Sequence, residues 1–391
     1  MFGSSSPYSH SRHMSTTPPN SFETVPELAA EARIVSLDAL RGFAMFWVVL
    51  ANTVLEPGQF MANNKTVDSL AVLLGHRDWE GLSVAEFFFP LFVFIVGIST
   101  VFSIGKIIQR HGRAAAYKRL VRRAALLFLF GIFYNGGLTY PWPDVQLMGV
   151  LQRIGVCCLV AGVLFCLIGP RGLVAALVMI LVGYWAWLTF VPVPGLGVPS
   201  FAKGANWAWY IDKFYLPGRK QFGDWDPEGL LSTIPAVGSC LIGVLAGLLM
   251  TNPEIPQKKK LSCFTLGGVG LIVLGCLWSL QFPFIKNLWT SSFVLVTGGV
   301  SCLALALFCL VVDIWGFRRW TPPFIWLGSN ALAIYIVIRI VDFRGIAQRL
   351  VGGDIHAALG TGGNVAITVV SIAIVFLLAR FMYRHQIFLR V

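Results

Sequence analysis

Long apolar runs alternate with short polar stretches along almost the whole chain. Ten of these runs reach about 20 residues, the length that an α-helix needs to cross roughly 30 Å of hydrocarbon. The pattern therefore predicts an all-α helix bundle that crosses a membrane about ten times. The predicted spans cover residues 36–55, 83–104, 124–140, 148–168, 173–192, 230–250, 261–280, 290–312, 323–341 and 364–383.

Composition supports this fold class, because 56% of the 391 residues are hydrophobic and only 12% are charged. A net charge of +12 would suit a nucleic-acid partner if the basic residues formed one patch. They fall instead in alternate loops, which is how membrane topology is encoded. A cytoplasmic N-terminus puts the dense basic clusters at 106–123, 258–260 and 318–319 inside. We therefore predict that both termini are cytoplasmic and that no nucleic acid is bound.

The first 32 residues are polar and rich in Ser, Pro and His. They have no apolar core, which argues against a cleavable signal peptide and favours a disordered cytoplasmic tail over 1–32. Residues 33–391 then form one transmembrane domain. All eight cysteines lie in apolar runs without metal-ligand spacing, so we predict packing roles for them and no metal site.

Charged residues lie inside several of the predicted spans, among them the first and the fourth. Asp38 and Arg41 lie three residues apart, a spacing that allows them to pair on one helix face. Arg41 alternatively faces a cavity and holds an anion. Gln152 and Arg153 lie about 7.5 Å inward from Met148 at 1.5 Å per residue. Because the same span has no acidic neighbour at helical spacing, the partner of Arg153 comes from another helix or from a ligand.

A single histidine stands at the predicted outer mouth of a span. His76 lies in the polar stretch 75–81, directly before the run 83–104. Histidine is the side chain best suited to moving protons near neutral pH. Two amides, Asn52 and Asn330, lie in apolar surroundings, where they either tie helices together or orient the imidazole and polarise a carbonyl.

The predicted outer loop 193–229 is rich in aromatic residues and ends in two acids, Asp226 and Glu228. The aromatic residues either anchor the loop at the membrane interface, which we favour, or stack on a sugar. The two acids either complement the dipole of the next helix or recognise a cationic or polyhydroxyl substrate.

Several motifs together resemble the heparan-α-glucosaminide N-acetyltransferase family and its bacterial relatives. The resemblance begins with RIVSLDALRG at 33–42 and continues with GVLQRIG at 149–155 and DPEG at 226–229. The motifs run in family order over nearly the whole chain after residue 32. The remaining matching blocks are 76–86, 89–95, 286–290 and 328–330.

The resemblance implies a multi-pass acyltransferase of the bacterial inner membrane. Such an enzyme takes acetyl from cytosolic acetyl-CoA and places it on a glucosamine-type amino sugar at the extracytoplasmic side. His76 falls on the position of the family's active-site histidine, and Asn52 on that of an assisting asparagine. A homodimer is a further implication. We assign contacts with CoA to Arg41, Gln152 and Arg153. We assign acceptor binding to Trp79, Asp226, Glu228 and Asn330.

The chemistry leaves alternatives open. Amide formation from a thioester needs a base and a donor that stabilises the oxyanion, which suits His76 and Asn52. We favour direct attack of the amine on acetyl-CoA over an acetyl-His76 intermediate, because an additional base for the second route is not evident. The outer loops differ from those of the animal enzyme, so the acceptor need not be heparan sulfate. An amino-sugar transporter and an O-acetyltransferase of an envelope polysaccharide are the competing interpretations.

Overall fold

The computed structural model describes residues 35–54, 75 and 77–389, which fold into α-helices without a β-strand among them. The predicted tail, residues 1–32, lies outside the described residues. A short 3₁₀ turn, Val84–Phe87, precedes the second helix. In chain order the helices are α1 (Val35–Val54), α2 (Phe88–Tyr134), α3 (Val150–Leu167), α4 (Pro170–Phe190), α5 (Trp207–Tyr215), α6 (Leu230–Thr251), α7 (Gln257–Trp278), α8 (Ser291–Phe308), α9 (Thr321–Ser329), α10 (Ala331–Ile340), α11 (Phe343–Val351), α12 (Asp354–Leu359) and α13 (Gly363–Arg384).

The predicted fold class is confirmed. Within the described part of the chain, seven helices are long and apolar enough to cross a membrane, and the bent pair α9–α10 would make an eighth. This is fewer than the ten predicted spans. Helix α1 is not among the seven, and α2 merges two predicted spans into one element. The count of ten and the cytoplasmic location of both termini therefore remain predictions.

Helix α2 turns back on itself at Gly112, where φ is +79°. The Thr100 hydroxyl lies 3.6 Å from the Cys158 sulfur on α3. Ala124, on the other side of the break, packs closely against Gly155 on the same stretch of α3. A straight helix would separate Thr100 from Ala124 by about 36 Å. Both halves of α2 reach neighbouring turns of α3 because the left-handed backbone at Gly112 interrupts the helix.

The helices divide into a central group and a peripheral group. In the most apolar windows of α6 and α8, 72% and 67% of the residues are buried, compared with 17% in α7 and 28% in α4 and α13. The outward positions of the peripheral helices carry apolar side chains such as Met179, Leu266 and Leu377. Apolar surface on this scale needs a hydrocarbon solvent. The chain is thus a multi-pass integral membrane protein.

Glycines allow the central helices to approach closely. A Cβ atom at Gly97 would overlap the Cys240 carbonyl oxygen, and one at Gly243 would overlap the Phe94 carbonyl oxygen. Helices α2 and α6 therefore meet backbone to backbone, as small residues permit in membrane proteins. This contact fixes the position of α6 and of the loop that leads into it.

Helices α9 and α10 form a broken element with a bend of 77°. Asn330 lies at the break, as the residue that ends α9 and precedes α10. Helix α9 is held against α1 by a second glycine contact, in which Gly42 meets the Phe324 backbone and Gly328 meets the Asp38 carbonyl. The break consequently lies beside the helix that carries Arg41.

Candidate active site

A cavity of about 1320 Å³ is lined by residues from both predicted faces of the membrane. Arg119, Arg123 and Leu389 line it at the end predicted to be cytoplasmic, and Arg77 and residues 219–222 line it at the end predicted to be outer. Pockets for drug-sized ligands usually measure about 300–1,000 Å³. The cavity therefore has room for a large ligand or for two ligands that approach from opposite sides.

Arg41 also lines the cavity. One terminal nitrogen, Nη2, donates a hydrogen bond of 2.7 Å to the Ser99 hydroxyl on α2. The other, Nη1, lies 3.4 Å from Asp38 Oδ1. The intrahelical pair forms, and Arg41 also lines the cavity. The binding of an anion by Arg41 stays a prediction. Its charge makes this part of the cavity wall favourable for an anion.

At the outer end, the turn 226–229 is organised by the carboxylate of Asp226. Asp226 Oδ2 accepts hydrogen bonds from Gln146 Nε2 at 2.9 Å and from the Gln221 N–H at 3.2 Å. Its Oδ1 accepts the Glu228 N–H at 3.0 Å. Asp226 is buried and is not among the cavity-lining residues. Burial raises the pKa of Asp226, and these hydrogen bonds oppose that rise.

A second acid, Asp212 on α5, ties this turn to the start of α6. Asp212 Oδ1 accepts the Leu230 N–H at 3.0 Å, and Oδ2 accepts the Asp226 N–H at 3.2 Å. Burial raises the pKa of Asp212 to about 6, although both hydrogen bonds favour the charged form. Asp212 therefore performs the capping role that we considered for Asp226 and Glu228.

Glu228 is the acid of this motif that faces the cavity, together with Lys286. Burial raises the pKa of Glu228, while the neighbouring charges of Arg153 and Lys286 lower it. Burial lowers the pKa of Lys286, and the charges of Glu228 and Glu86 oppose that effect. The outer end thus combines a buried acid, Glu228, with a partly buried base, Lys286.

Arg153 and Gln152 are buried behind the cavity wall and are not among its lining residues. Arg153 Nη2 donates to the Pro227 carbonyl at 2.8 Å and to the Ser232 hydroxyl. Its guanidinium also lies 4.9 Å from the ring centroid of Trp289. The partner that the sequence left open is therefore the 226–229 turn and α6. The Gln152 amide packs against Gly131, with no hydrogen-bond partner among the described residues.

The segment before α2 is held by Glu86, a residue that the sequence analysis did not single out. Its Oε1 accepts the Arg77 N–H at 3.0 Å, and its Oε2 accepts the Ser83 N–H at 3.2 Å. The Gly81 N–H also donates to the Phe284 carbonyl at 2.9 Å. These contacts hold the 77–86 segment against the loop that carries Lys286. The capping spacing of Ser83 and Glu86 was the signal that could have revealed Glu86.

Trp79 connects two outer loops. Its indole N–H donates to the Phe201 carbonyl at 2.9 Å, and its ring meets Trp225 edge-on at 5.5 Å. The neighbouring Asp78 carboxylate pairs with Lys203 of the same second loop. Trp79 is not among the cavity-lining residues. The contacts described above are all with other groups of the protein.

The remaining candidates are Asn330, His76 and Asn52. Asn330 is buried, and both amide atoms lack a hydrogen-bond partner among the described residues. Its neighbours Ser329 and Ala331 line the cavity. His76 and the side chain of Asn52 lie outside the described residues, so their roles stay predictions.

Lys286 is the most informative residue that sequence reasoning missed. It belongs to the block 286–290, which carried part of the family resemblance, and it is a lone basic residue directly before an apolar run. That pattern was the available signal. Within the described ranges, no group of three or more His, Cys, Asp or Glu side chains is arranged to hold a metal ion. The expected absence of a metal cofactor remains a prediction.

These features define a multi-pass, all-α membrane protein with a polar cavity that is lined from both sides of the bundle. The family model for the heparan-α-glucosaminide N-acetyltransferase catalytic region matches residues 33–265, and the chain belongs to this family. Heparan-α-glucosaminide N-acetyltransferase from Homo sapiens is 27% identical, over 93% of this chain and 60% of that protein. The Mus musculus protein of the same name is 26% identical, over 92% and 60%. The chain therefore spans about 60% of the length of these relatives.

Proposed function

We propose that this protein is a transmembrane N-acetyltransferase that moves acetyl from cytosolic acetyl-CoA to a glucosamine-type amino sugar on the extracytoplasmic side. The observation that carries the proposal is the cavity, which is lined by Arg119 and Arg123 at one end and by Glu228 and Lys286 at the other. Family membership supports acyl transfer as the chemistry. We further propose that the protein resides in the inner membrane of a bacterium.

In this proposal acetyl-CoA enters at the predicted cytoplasmic end. CoA is polyanionic, and Arg119, Arg123 and Arg41 all line the cavity. Guanidinium groups bind phosphates bidentately, so these residues favour CoA over a neutral ligand. Arg153, another CoA contact that we predict, would act from behind the wall through its hydrogen bond to the turn 226–229. Gln152, the remaining predicted CoA contact, also lies behind the wall.

The acceptor enters at the outer end, near Glu228 and Lys286. His76 acts as the general base, and Asn52 donates to the developing oxyanion. Arg77, the residue that follows His76 in the chain, lines the cavity, which supports a reaction at this end. We retain direct attack of the amine on the thioester, with an acetyl-His76 intermediate as the alternative route.

Reconstituted liposomes test the proposal. Acetyl-CoA is supplied on one side and glucosamine on the other, and the release of CoA thiol and the formation of N-acetylglucosamine are measured. We expect CoA release to require the amino sugar on the opposite side, and we expect His76→Ala to abolish it in folded protein. Wild-type turnover by His76→Ala would remove His76 from the mechanism. An alkali-labile ester product would instead indicate an O-acetyltransferase.

An amino-sugar transporter is the second candidate, because the 77° break between α9 and α10 borders the cavity. Broken helices at a central site are typical of secondary transporters. The same liposomes distinguish the two functions. Net uptake of labelled glucosamine without acetyl-CoA would support transport, whereas thiol release that depends on both substrates supports catalysis.

A further inference from the structure

Acetylation of an amine needs two proton acceptors, and the proposed function assigns only one. At neutral pH an amino sugar is largely an ammonium ion. The balanced reaction is R–NH₃⁺ + CH₃CO–S–CoA → R–NH–CO–CH₃ + HS–CoA + H⁺. The nitrogen loses one proton before it attacks and a second as the C–N bond forms and the C–S bond breaks. The second proton returns to the thiolate, so the first must leave through another group.

The charges along the cavity single out one residue for the first proton. Among the described residues that line it, two are acidic, Asp78 and Glu228. Asp78 has a side chain that is 84% exposed and pairs with Lys203 at the surface. Glu228 is only 9% exposed. The basic residues along the same wall are Arg41, Arg77, Arg119, Arg123, Arg219, Lys220, Lys286 and Arg339.

An ammonium ion is repelled by such a wall except where a carboxylate faces it. Glu228 is fixed in that position by its backbone, whose N–H donates to Asp226 Oδ1 at 3.0 Å. The charged and titratable groups that act on its carboxyl group are Arg153 on α3, Asp226 in its own turn, Lys286 in the loop before α8 and Tyr335 on α10.

The neighbouring groups have opposing effects on the pKa of Glu228, which suits proton transfer. Burial and Asp226 raise the pKa of Glu228, and Arg153 and Lys286 lower it. A buried carboxylate so placed can both attract a cation and accept its proton, because its own charge is costly to bury.

We propose that Glu228 binds the ammonium group of the acceptor and takes its first proton, which leaves a neutral amine for the transfer step. This inference rests on the proposed function. The step breaks one N–H bond and forms one O–H bond, and Glu228 then returns the proton to water at the outer mouth. The base at His76 takes the second proton and passes it to the CoA thiolate.

The test compares two acceptors on one protein sample. One is glucosamine, and the other is the matching sugar with an alkoxyamine, whose nitrogen is already unprotonated at neutral pH. For Glu228→Gln we expect the kcat/KM for glucosamine to fall by about 100-fold or more, the usual size of a general acid–base contribution. The kcat/KM for the alkoxyamine should stay close to that of the wild type. Raising the pH should restore glucosamine turnover as its free amine accumulates.

Because both acceptors are measured on the same sample, the ratio of their kcat/KM values does not depend on the fraction of folded protein. An unchanged ratio in Glu228→Gln would overturn the inference. If that variant does not fold, Glu228→Asp is used, and its ratio should shift in the same direction. Asp224→Asn is the matched control, an exposed acid of the same loop that pairs with Lys213 at 2.9 Å, and it should leave the ratio unchanged. Failure of the wild type to release CoA with either acceptor would refute the proposed function instead.

Discussion

Replacing Asp226 tests whether the turn 226–229 is held by one buried carboxylate. In Asp226→Ala the hydrogen bonds to Gln146, Gln221 and the Glu228 N–H are all lost. A buried donor left without a partner costs about 1–3 kcal/mol. Gln146 and Gln221 border the cavity, where hydration recovers part of the loss, whereas the Glu228 N–H is buried. We therefore expect the free energy of unfolding to fall by about 4 kcal/mol.

A series of three substitutions tests the size of this loss in the free energy of unfolding. Asp226→Asn keeps one acceptor oxygen but turns an N–H₂ group toward either the Gln221 or the Glu228 N–H, so we expect a loss of about 2 kcal/mol. The exposed ion pair of Asp224 with Lys213 contributes about 0–1 kcal/mol. Equilibrium unfolding in detergent micelles should therefore give the lowest free energy of unfolding for Asp226→Ala. The value for Asp226→Asn should be higher, and that for Asp224→Asn should be the highest of the three. Equal unfolding midpoints for Asp226→Ala and Asp224→Asn would refute the reasoning.

Three further predictions concern packing, pH and donor binding. A side chain at Gly243 would meet the Phe94 backbone, so Gly243→Leu should abolish recovery of monodisperse protein, whereas Gly267→Leu, which meets nothing within 4 Å, should be tolerated. The pKa of folded Asp212 is about 6, above its ordinary value of 3.8, so the folded state holds this proton more tightly. Stability should therefore fall by about 3 kcal/mol as the pH rises from about 4 to 6, and unfolding titrations of Asp212→Asn should lack this component. Finally, Arg41→Ala should raise the KM for acetyl-CoA by about tenfold and leave the KM for the amino sugar unchanged. An equal change in both constants would remove Arg41 from donor binding.

The local motifs predicted the site unevenly. The spacing of Asp38 and Arg41 predicted that they pair on one helix face, and the pair forms. Arg41 also lines the cavity whereas Asp38 does not, so the spacing alone does not explain this placement. Asp226 and Glu228 were assigned the same role. They differ in the structure because Asp226 accepts hydrogen bonds from its own turn and is not among the cavity-lining residues, whereas Glu228 lines the cavity. The single residue between the two acids, Pro227, could not reveal which carboxylate meets the cavity.

Other placements depended on segments that are distant in sequence. Arg153 meets Pro227, which is 74 residues away, and Glu86 holds a segment that is also tied to the loop of Lys286. The path of helix α2 likewise depends on one glycine, Gly112, whose left-handed conformation interrupts the helix. A hydropathy window averages over a single glycine of this kind. The pattern of apolar residues therefore could not predict the exact path of the chain through this region.

The sequence by itself determined that this chain is an all-α membrane protein, because apolar runs of about 20 residues satisfy their backbone hydrogen bonds in hydrocarbon only as helices. Its motifs also predicted the family that the comparisons established. Only the tertiary structure decided which polar residues share a cavity. That outcome is set by how closely helices approach, at contacts such as Gly97 with Cys240. Those contacts join residues far apart in the chain, and hydrophobic periodicity carries no information about which helices meet.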